Sequence, residues 1–174
     1  APGVRSAWPA VIAAVTDDQG EIVGVHRTWL DPAGGKAPVA CPRRAMGHLL
    51  GHGVRFGRSD VVMAAGEGIE TMLSLREALP SLPMIAGLSA AHLAAIRFPQ
   101  PLRRLYVACD KDPAGAGALK TLAERGVHAG IEVVPLLPER GDFNDDLCAL
   151  GRFQFADRLG CVLRGEDIAR FLVR

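Results

Sequence analysis

Between residues 60 and 137, short apolar runs alternate with amphipathic segments, and few folds accommodate this alternation. The apolar runs predict strands at 60–65, 83–88, 104–109 and 131–137, and the segments between them predict helices at 68–79, 90–96 and 113–125, the last ended by Gly126. Short strands with apolar residues in succession are typical of a parallel sheet whose two faces are covered by helices. The sequence therefore predicts an α/β fold in this region.

The first 58 residues have a different pattern, in which turns separate apolar, β-branched runs. Residues 9–16 and 21–30 lie on either side of an Asp/Gly turn, which predicts a β-hairpin. Residues 31–38 predict a loop, and residues 39–58 predict only short strands, such as one at 54–56. This pattern indicates a small β-rich lobe in front of the α/β region.

The chain is therefore expected to have three parts. They are a β-rich basic lobe at 1–58, an α/β domain at 59–150 and a helical extension at 151–174. The extension predicts one or two helices, with a candidate at 167–173, and we expect it to pack against the sheet.

Composition excludes several classes of protein. Hydrophobic residues make up 49% of the 174 residues, which excludes a disordered chain. No apolar run approaches the ~20 residues of a membrane-spanning helix, so no membrane partner is expected. The four cysteines, at 41, 109, 148 and 161, form no Cys-x-x-Cys pair. We therefore expect a reduced, cytoplasmic protein with no zinc module in this chain, and with Cys109 in the core.

The charges are distributed unevenly along the chain. Residues 1–58 carry a net charge of +3, residues 60–150 of −4 and residues 151–174 of +2, and 17 of the 20 basic residues are Arg. A phosphate-binding lobe beside a metal-binding domain would produce this pattern. Chance variation of a few charges would produce it too, and composition alone leaves both interpretations open.

Acidic residues follow three of the four predicted strands. Glu67 follows the first, Asp110 and Asp112 follow the third, and Asp142, Asn144, Asp145 and Asp146 follow the fourth. The carboxyl ends of parallel strands share one edge of a sheet, so these carboxylates are expected to converge. Converging carboxylates repel unless a cation lies between them, and Mg²⁺ prefers oxygen ligands. The sequence therefore predicts a magnesium site.

Each acid taken alone also has a purely structural explanation. Asp112 precedes a proline and is a good helix N-cap, and Asp142 or Asn144 could cap a helix at 145–150. Glu67 and Glu70 could be stabilised by the dipole of the helix that they begin, which is the interpretation we prefer for Glu70. Capping does not explain Asp110. The coincidence of acids at three strand ends favours the metal site.

These motifs resemble those of the Toprim family, which includes primases, type IA and type II topoisomerases and related nucleases. The family pattern is a Glu after the first strand, Asp-x-Asp after the third and often another acidic motif after the fourth. The matching segments are Gly66-Glu67-Gly68, Asp110-Lys-Asp112-Pro-Ala-Gly115 and Gly141-Asp142-Phe-Asn144-Asp145, within residues 60–150. The last two are more typical of primase-type Toprim domains, especially those of phages, plasmids and mobile elements. The resemblance thus implies a Toprim domain at 59–150.

The first lobe has a looser resemblance to the basic lobe that precedes the Toprim fold in bacterial primases. Gly24-Val-His-Arg27 and Gly35-Lys36-Ala-Pro38 are the similar segments. The resemblance implies that Arg27 and Lys36 hold the triphosphate or the template backbone, and that Arg43 and Arg44 contribute more diffusely. The zinc module and the helicase or helicase-binding part of primases are not in this sequence. Template recognition and initiation are therefore either lost or supplied elsewhere in a longer protein, by a zinc module and a helicase.

The resemblance implies a DNA primase that makes short primers from nucleoside triphosphates on single-stranded DNA. Mg²⁺ or Mn²⁺ would be held by Glu67, Asp110, Asp112 and Asp142, the first three being catalytic, with a general-base role open for Glu67. Two alternatives remain, a Toprim nuclease or strand-passage fragment and a non-catalytic nucleic-acid-binding module whose acids are caps. The single tyrosine, Tyr106, lies in a predicted buried strand, which argues against topoisomerase chemistry.

Overall fold

In the computed structural model, which describes residues 7–173, the chain begins with a three-stranded antiparallel sheet. Its strands are β1 (Ala10–Thr16), β2 (Ile22–Trp29) and β3 (Arg43–Gly47), in the order β1-β2-β3. The predicted hairpin of β1 and β2 is confirmed. Its turn forms because the Asp17 carboxylate accepts the backbone N–H groups of Gln19 and Glu21. Residues 1–6 of the predicted lobe and Arg174 lie outside the described residues.

The second sheet has five strands and carries the predicted α/β fold. Its strands are β4 (Val54–Phe56), β5 (Val62–Gly66), β6 (Met84–Ala86), β7 (Arg104–Ala108) and β8 (Glu132–Leu136), in the order β4-β6-β5-β7-β8. Strands β5 to β8 are parallel to one another, and β4 is an antiparallel edge strand paired with β6. The α/β prediction of a parallel sheet flanked by helices is thus confirmed.

Five helices accompany this sheet. They are α1 (Ile69–Ala78), α2 (Ala90–Ala95), α3 (Pro113–Ala129), α4 (Phe143–Gly160) and α5 (Gly165–Phe171). One apolar cluster lies on each face of the sheet, with Met72 of α1 in the first and Leu122 of α3 in the second. No helix in the described part of the chain is long and apolar enough to cross a membrane.

The prediction that Gly126 ends the third helix is wrong. Helix α3 continues past it and ends at Gly130, whose φ of 67° is left-handed. Gly126 instead allows close packing of α3 on the sheet, because a β-carbon there would lie 2.5 Å from Cγ2 of Val133. A glycine that provides close contact has the same local signature as one that ends a helix.

The C-terminal extension packs against the sheet as expected, although its helices begin earlier than predicted. Helix α4 starts at Phe143 rather than at 145 and bends at Gly151, where φ is 71°. Helix α5 covers 165–171 rather than 167–173. The buried side chains of Phe155 and Phe171 lie in the same apolar cluster as Tyr106 of β7. The extension therefore completes the core on one face of the sheet.

The two sheets are joined at the segment that leads from β3 to β4. Thr16 forms an isolated bridge with Gly53, and Val15 of β1 is fully buried in the core cluster of the second sheet. A β-carbon at Gly53 would lie 2.4 Å from the main-chain oxygen of Ala86. Strand β4, which falls within the range expected for the first lobe, is thus hydrogen-bonded into the second sheet. This close junction fixes β3 relative to the ends of the parallel strands.

Candidate active site

The acidic residues follow three adjacent strands, β5, β7 and β8. Glu67 comes directly after β5, and Asp110 comes two residues after the end of β7. Burial raises the pKa of the Asp110 carboxyl, and the charges of Asp142 and Asp112 raise it further. The pKa of Glu67 is raised by burial and then by Asp110 and Asp112. The fold therefore brings the four predicted acids within electrostatic range of one another.

Two of these acids also cap helices, as their sequence contexts indicated. Oδ1 of Asp112 accepts the backbone N–H of Gly115 at 2.7 Å at the start of α3. Oδ1 of Asp142 accepts the N–H of Asp145 at 2.8 Å at the start of α4. Within residues 7–173, the Oδ2 atoms of both aspartates have no hydrogen-bond partner. Capping thus orients each carboxylate and leaves one of its oxygens available.

Asp110 has no such structural use. Its Oδ1 atom is buried and has no hydrogen-bond partner in the described part of the chain. Buried polar atoms are nearly always paired, because removing them from water without a partner costs about 1–3 kcal/mol. The nearby positive charge of Arg43 in β3 lowers the pKa of Asp110 and of Glu67, opposing the effects of burial and repulsion. Asp110 is therefore the acid that most needs a cation.

The chemistry of these residues fits a divalent cation. Their donors are all carboxylate oxygens, which Mg²⁺ and Mn²⁺ accept, and the unpaired Oδ1 of Asp110 lies among them. Across residues 7–173, no three His, Cys, Asp or Glu side chains are already arranged to hold a metal ion. The charges of these residues thus suit a metal ion, although their side chains in the described part of the chain do not form a set of metal ligands.

The predicted basic residues are divided between the two faces of the first sheet. Arg43 is paired with Thr28, and both belong to the face that also carries the buried His26. Arg27 is paired with Arg44 on the opposite face, where its guanidinium lies 4.8 Å from the centre of the Trp29 ring. Arg43 acts on the pKa of both Glu67 and Asp110 and therefore faces the site, whereas Arg27 belongs to the opposite face.

Lys36 lies on the acidic side of the junction. Its Nζ atom is 3.7 Å from Oε1 of Glu70, in the first turn of α1, and both side chains are about half exposed. The place predicted for Glu70, at the start of a helix, is confirmed. A pair this exposed contributes little to stability, so Lys36 can exchange Glu70 for a phosphate at small cost.

A cleft between the lobes contains Glu67 and Arg43. Its wall includes His26, Arg44, Leu88 and His92 together with these two residues. The Leu88 backbone N–H donates to the Glu67 carbonyl at 2.7 Å, and Leu88 has a φ of 77°. A left-handed backbone is costly for a branched residue, and such strain is found mainly at functional sites. Leu88 thus holds the backbone of Glu67 at the open edge of the sheet.

Two protein families match the sequence of this chain. The sequence model of the Toprim domain family matches residues 62–152, more than half of the chain. The chain belongs to the Toprim domain family. A second family, described only as a domain of unknown function, matches residues 1–56. A search of curated proteins finds no match.

Solved structures similar to this Toprim chain are primase fragments. The primase fragment of the bacteriophage T7 primase-helicase protein is 16% identical, with a TM-score of 0.59, and the match covers 86% of this chain and 62% of that one. The Aquifex aeolicus primase, with zinc-binding and RNA polymerase domains, is 17% identical, with a TM-score of 0.57 and coverages of 92% and 40%. A DNA primase domain from Pseudomonas aeruginosa is 18% identical, with a TM-score of 0.57 and coverages of 87% and 50%.

These likenesses establish a fold rather than an activity. The chain spans between 40% and 62% of the length of the three solved chains. Because all three are primase fragments, the fold is that of a primase-type Toprim domain. The acids that carried the resemblance lie at the strand ends where the structure places the candidate site.

Sequence reasoning did not separate Asp146 from the other acids of this Toprim domain, and it missed Leu88 and His92. Asp146 is only 1% exposed, and its two oxygens accept the backbone N–H groups of Glu139 and Arg140. It therefore shapes the loop that leads to Asp142 and does not face a ligand. Leu88 and His92 carry no sequence signal, because only the contact between the lobes places them in the cleft.

Proposed function

We propose that this Toprim chain is the catalytic core of a DNA primase, which joins nucleoside triphosphates into short primers on a single-stranded DNA template. The observation that carries the proposal is Asp110, whose buried Oδ1 has no partner in the described residues and is surrounded by further carboxylates. The likeness to three primase fragments supports this choice among Toprim activities.

In this proposal, Glu67, Asp110, Asp112 and Asp142 hold Mg²⁺ or Mn²⁺. A bound divalent ion would neutralise the triphosphate and make the primer 3′-hydroxyl easier to deprotonate. Helix capping orients Asp112 and Asp142, so their outer oxygens are presented without a large loss of side-chain entropy. The raised pKa of Glu67 also suits a general base that accepts the proton of the attacking hydroxyl.

The basic residues have two roles in this proposal. Arg43 and Lys36 lie on the acidic side of the first sheet and bind the phosphates of the incoming nucleotide. Arg27 and Arg44 are paired on the other face, Arg44 also lining the cleft, and they contact the backbone of the template strand. Because the two faces belong to one sheet, a strand that passes its edge would meet both sets.

Strand passage is the least suitable of the Toprim activities. A topoisomerase needs a tyrosine nucleophile that can reach DNA, and Tyr106 is fully buried. Its hydroxyl donates to Asp167 at 2.7 Å and accepts the backbone N–H of Arg164 at 2.9 Å. Burial raises the pKa of Tyr106 to about 12. This phenol therefore serves the attachment of the C-terminal extension.

The proposal includes an arrangement of parts and a setting. Residues 1–58 form the basic lobe, 59–150 the Toprim domain and 151–174 the extension, in a cytoplasmic protein of a mobile element. A zinc module and a helicase activity would be supplied elsewhere in a longer protein. The helicase expectation is consistent with the T7 neighbour, which is a fragment of a primase-helicase.

Primer synthesis on mixed single-stranded DNA tests the proposal. Labelled nucleotides with Mg²⁺ or Mn²⁺ should give short products with the wild type and none with Glu67→Ala or Asp110→Asn. Asp157→Asn is the matched control, because Asp157 is an exposed acid on α4 away from the strand ends. It should retain wild-type synthesis.

The other outcomes separate the alternatives. Cleavage of DNA without synthesis would identify a Toprim nuclease. Binding of DNA with neither reaction, and with no response to Mg²⁺, would identify a non-catalytic module. Synthesis that persists in Asp110→Asn would contradict the proposed role of the acids.

A further inference from the structure

A second pocket lies beside the cleft, and its wall carries nitrogen donors instead of acids. It is lined by three histidines, His48, His52 and His92, together with Arg97, Gly47, Leu49 and Leu50. Among the residues that the structure describes, no Asp or Glu lines it. Arg97 forms no ion pair with any residue between 7 and 173, so its positive charge is not neutralised by the protein there.

His52 gives the clearest sign that this pocket is built for a ligand. The residue is only 7% exposed, and its Nδ1 atom is buried with no hydrogen-bond partner among the described residues. The carboxylate of Asp17 is near enough to be affected by the charge of His52. It already accepts the backbone N–H groups of Gln19 and Glu21. The protein thus leaves a buried ring nitrogen of His52 without a partner, at an appreciable cost.

His92 is oriented as a donor. Oγ of Ser89 accepts the backbone N–H of His92 at 3.2 Å and lies 3.1 Å from its ring Nδ1. The Ser89 hydroxyl can therefore donate its hydrogen to Nδ1, which leaves the ring hydrogen on Nε2. In this tautomer, and in the charged ring, the Nε2–H of His92 is left as a donor.

Arg97 is held in place by the loop between the lobes. Its backbone N–H donates to the carbonyl of Gly51 at 3.1 Å. A β-carbon on Gly51 would lie 3.1 Å from both Cγ and Nε of Arg97, so the absent side chain lets Arg97 lie across the loop. Gly51 also has a φ of 83°, which suits glycine.

We infer that the pocket of His48, His52, His92 and Arg97 binds phosphate groups. Several N–H donors without a carboxylate among them form an anion site, and a guanidinium binds phosphate well. His92 and Leu49 line both this pocket and the cleft that contains Glu67 and Arg43, so the two are continuous. Phosphates in the pocket would belong to a molecule that reaches the acids.

The phosphates could come from a nucleoside triphosphate or from a nucleic-acid backbone, and their shared chemistry is what the pocket recognises. Only this choice of source rests on the proposed function. Binding of inorganic tripolyphosphate and of a single-stranded oligonucleotide is therefore measured separately, by calorimetry and by fluorescence anisotropy. EDTA is present throughout, so that a metal bound to the acids does not contribute.

The test compares the wild type with a His48→Gln/Arg97→Gln double variant, whose altered residues are both exposed. The double variant should bind at least one of the two probes about tenfold more weakly, because charge-assisted hydrogen bonds are lost. A His128→Gln/Lys120→Gln double variant is the matched control, since both of its residues are exposed on α3. It should bind as the wild type does.

Two results would overturn the inference. One is wild-type affinity of the His48→Gln/Arg97→Gln variant for both probes, and the other is the absence of binding by the wild type. Weakening for tripolyphosphate alone identifies a nucleotide tail, and weakening for the oligonucleotide alone identifies a strand backbone. The wild type gives a second measurement, because the ring nitrogen signals of His52 should shift when a bound probe is added, and unshifted signals would contradict the site.

Asp110→Asn separates this inference from the proposed function. In EDTA it should bind the probes no more weakly than the wild type, because Asp110 does not line the pocket and its negative charge only repels phosphates. Probe binding without any primer synthesis by the wild type would support the phosphate site and contradict the primase proposal. If His48→Gln/Arg97→Gln leaves both primer synthesis and probe binding unchanged, the result would support the primase proposal and contradict the phosphate site.

Discussion

A β-carbon on Gly115 would lie only 2.7 Å from the main-chain oxygen of Asp110. The first turn of α3 therefore packs directly on the backbone that carries the candidate site. Gly117, two residues further along the same helix, has open space where its β-carbon would be. The two glycines, both in α3, thus differ sharply in what an added β-carbon would contact.

Gly115→Ala is expected to displace Asp110, while Gly117→Ala is expected to be harmless. The first should lower the free energy of unfolding by about 1–3 kcal/mol, the usual cost of overpacking, and should abolish any stabilisation by Mg²⁺. The second should raise it by up to about 1 kcal/mol, because alanine favours the helix interior. Urea unfolding with and without Mg²⁺ measures both, and a normal Mg²⁺ response in Gly115→Ala would contradict the role of this contact.

Asp110→Asn is expected to stabilise the metal-free protein near neutral pH. The pKa of Asp110 is raised in the folded state, so its contribution to stability is fully present below the unfolded pKa and is lost as pH rises through the folded pKa. The asparagine amide has no proton to lose in this range and stays neutral. In EDTA the variant should melt about 2–4 °C above the wild type at pH 7.5 and close to it at pH 4.

Millimolar Mg²⁺ is expected to reverse this order. A cation that binds only the folded wild type raises its melting temperature, and Asp110→Asn loses most of that gain. Thermal melts at several Mg²⁺ concentrations provide the measurement, with Asp157→Asn as the control. Equal Mg²⁺ responses in the wild type and in Asp110→Asn would show that the ion does not bind at Asp110.

The four cysteines are expected to divide into three reactive thiols and one inert thiol. Cys41, Cys148 and Cys161 are exposed, while Cys109 is buried beside Asp110. Burial raises the pKa of Cys109 to about 11, with a further contribution from the nearby carboxylates, and only the thiolate reacts quickly. A disulfide reagent at pH 8 should titrate three thiols in the folded protein and four in denaturant. Rapid reaction of a fourth native thiol, mapped to Cys109, would contradict this burial.

The buried carboxylate of Asp167 is expected to be essential for the attachment of the C-terminal extension. Its Oδ2 atom accepts hydrogen bonds from Tyr106 at 2.7 Å and from Nη1 of Arg104 at 2.6 Å. Asp167→Asn removes the charge that pairs with Arg104 and should lower the free energy of unfolding by about 2–3 kcal/mol. This is somewhat less than the usual cost of breaking a buried ion pair, because Glu132 still pairs with Arg104.

Glu166 provides the matched control for this substitution. It pairs with the same guanidinium but is 67% exposed, so Glu166→Gln should leave the free energy of unfolding almost unchanged. Urea unfolding measures both variants. Similar losses in the two would show that burial of Asp167 contributes nothing.

Much of the α/β region could be predicted from the sequence, because its signals are local. The alternation of apolar runs with amphipathic segments placed every strand of the parallel sheet, since a strand and a helix each bury a face that recurs at a fixed spacing. Asp112 could be predicted as a cap for the same reason, and the second cap could be narrowed to Asp142 or Asn144, of which the structure has Asp142. A cap accepts an N–H three residues away, as both do here.

The sequence by itself determined that acids would stand at the carboxyl ends of parallel strands, because chain direction brings those ends to one edge of the sheet. Only the tertiary structure decided which of them remain without a partner. Asp146 is satisfied by two backbone N–H groups, whereas Oδ1 of Asp110 has no partner in the described residues. Likewise, the pairing register of β2 and β3, and not the residue type, put Arg43 towards the acids and Arg27 on the opposite face. These outcomes depend on contacts between residues far apart in the chain, and local spacing carries no record of them.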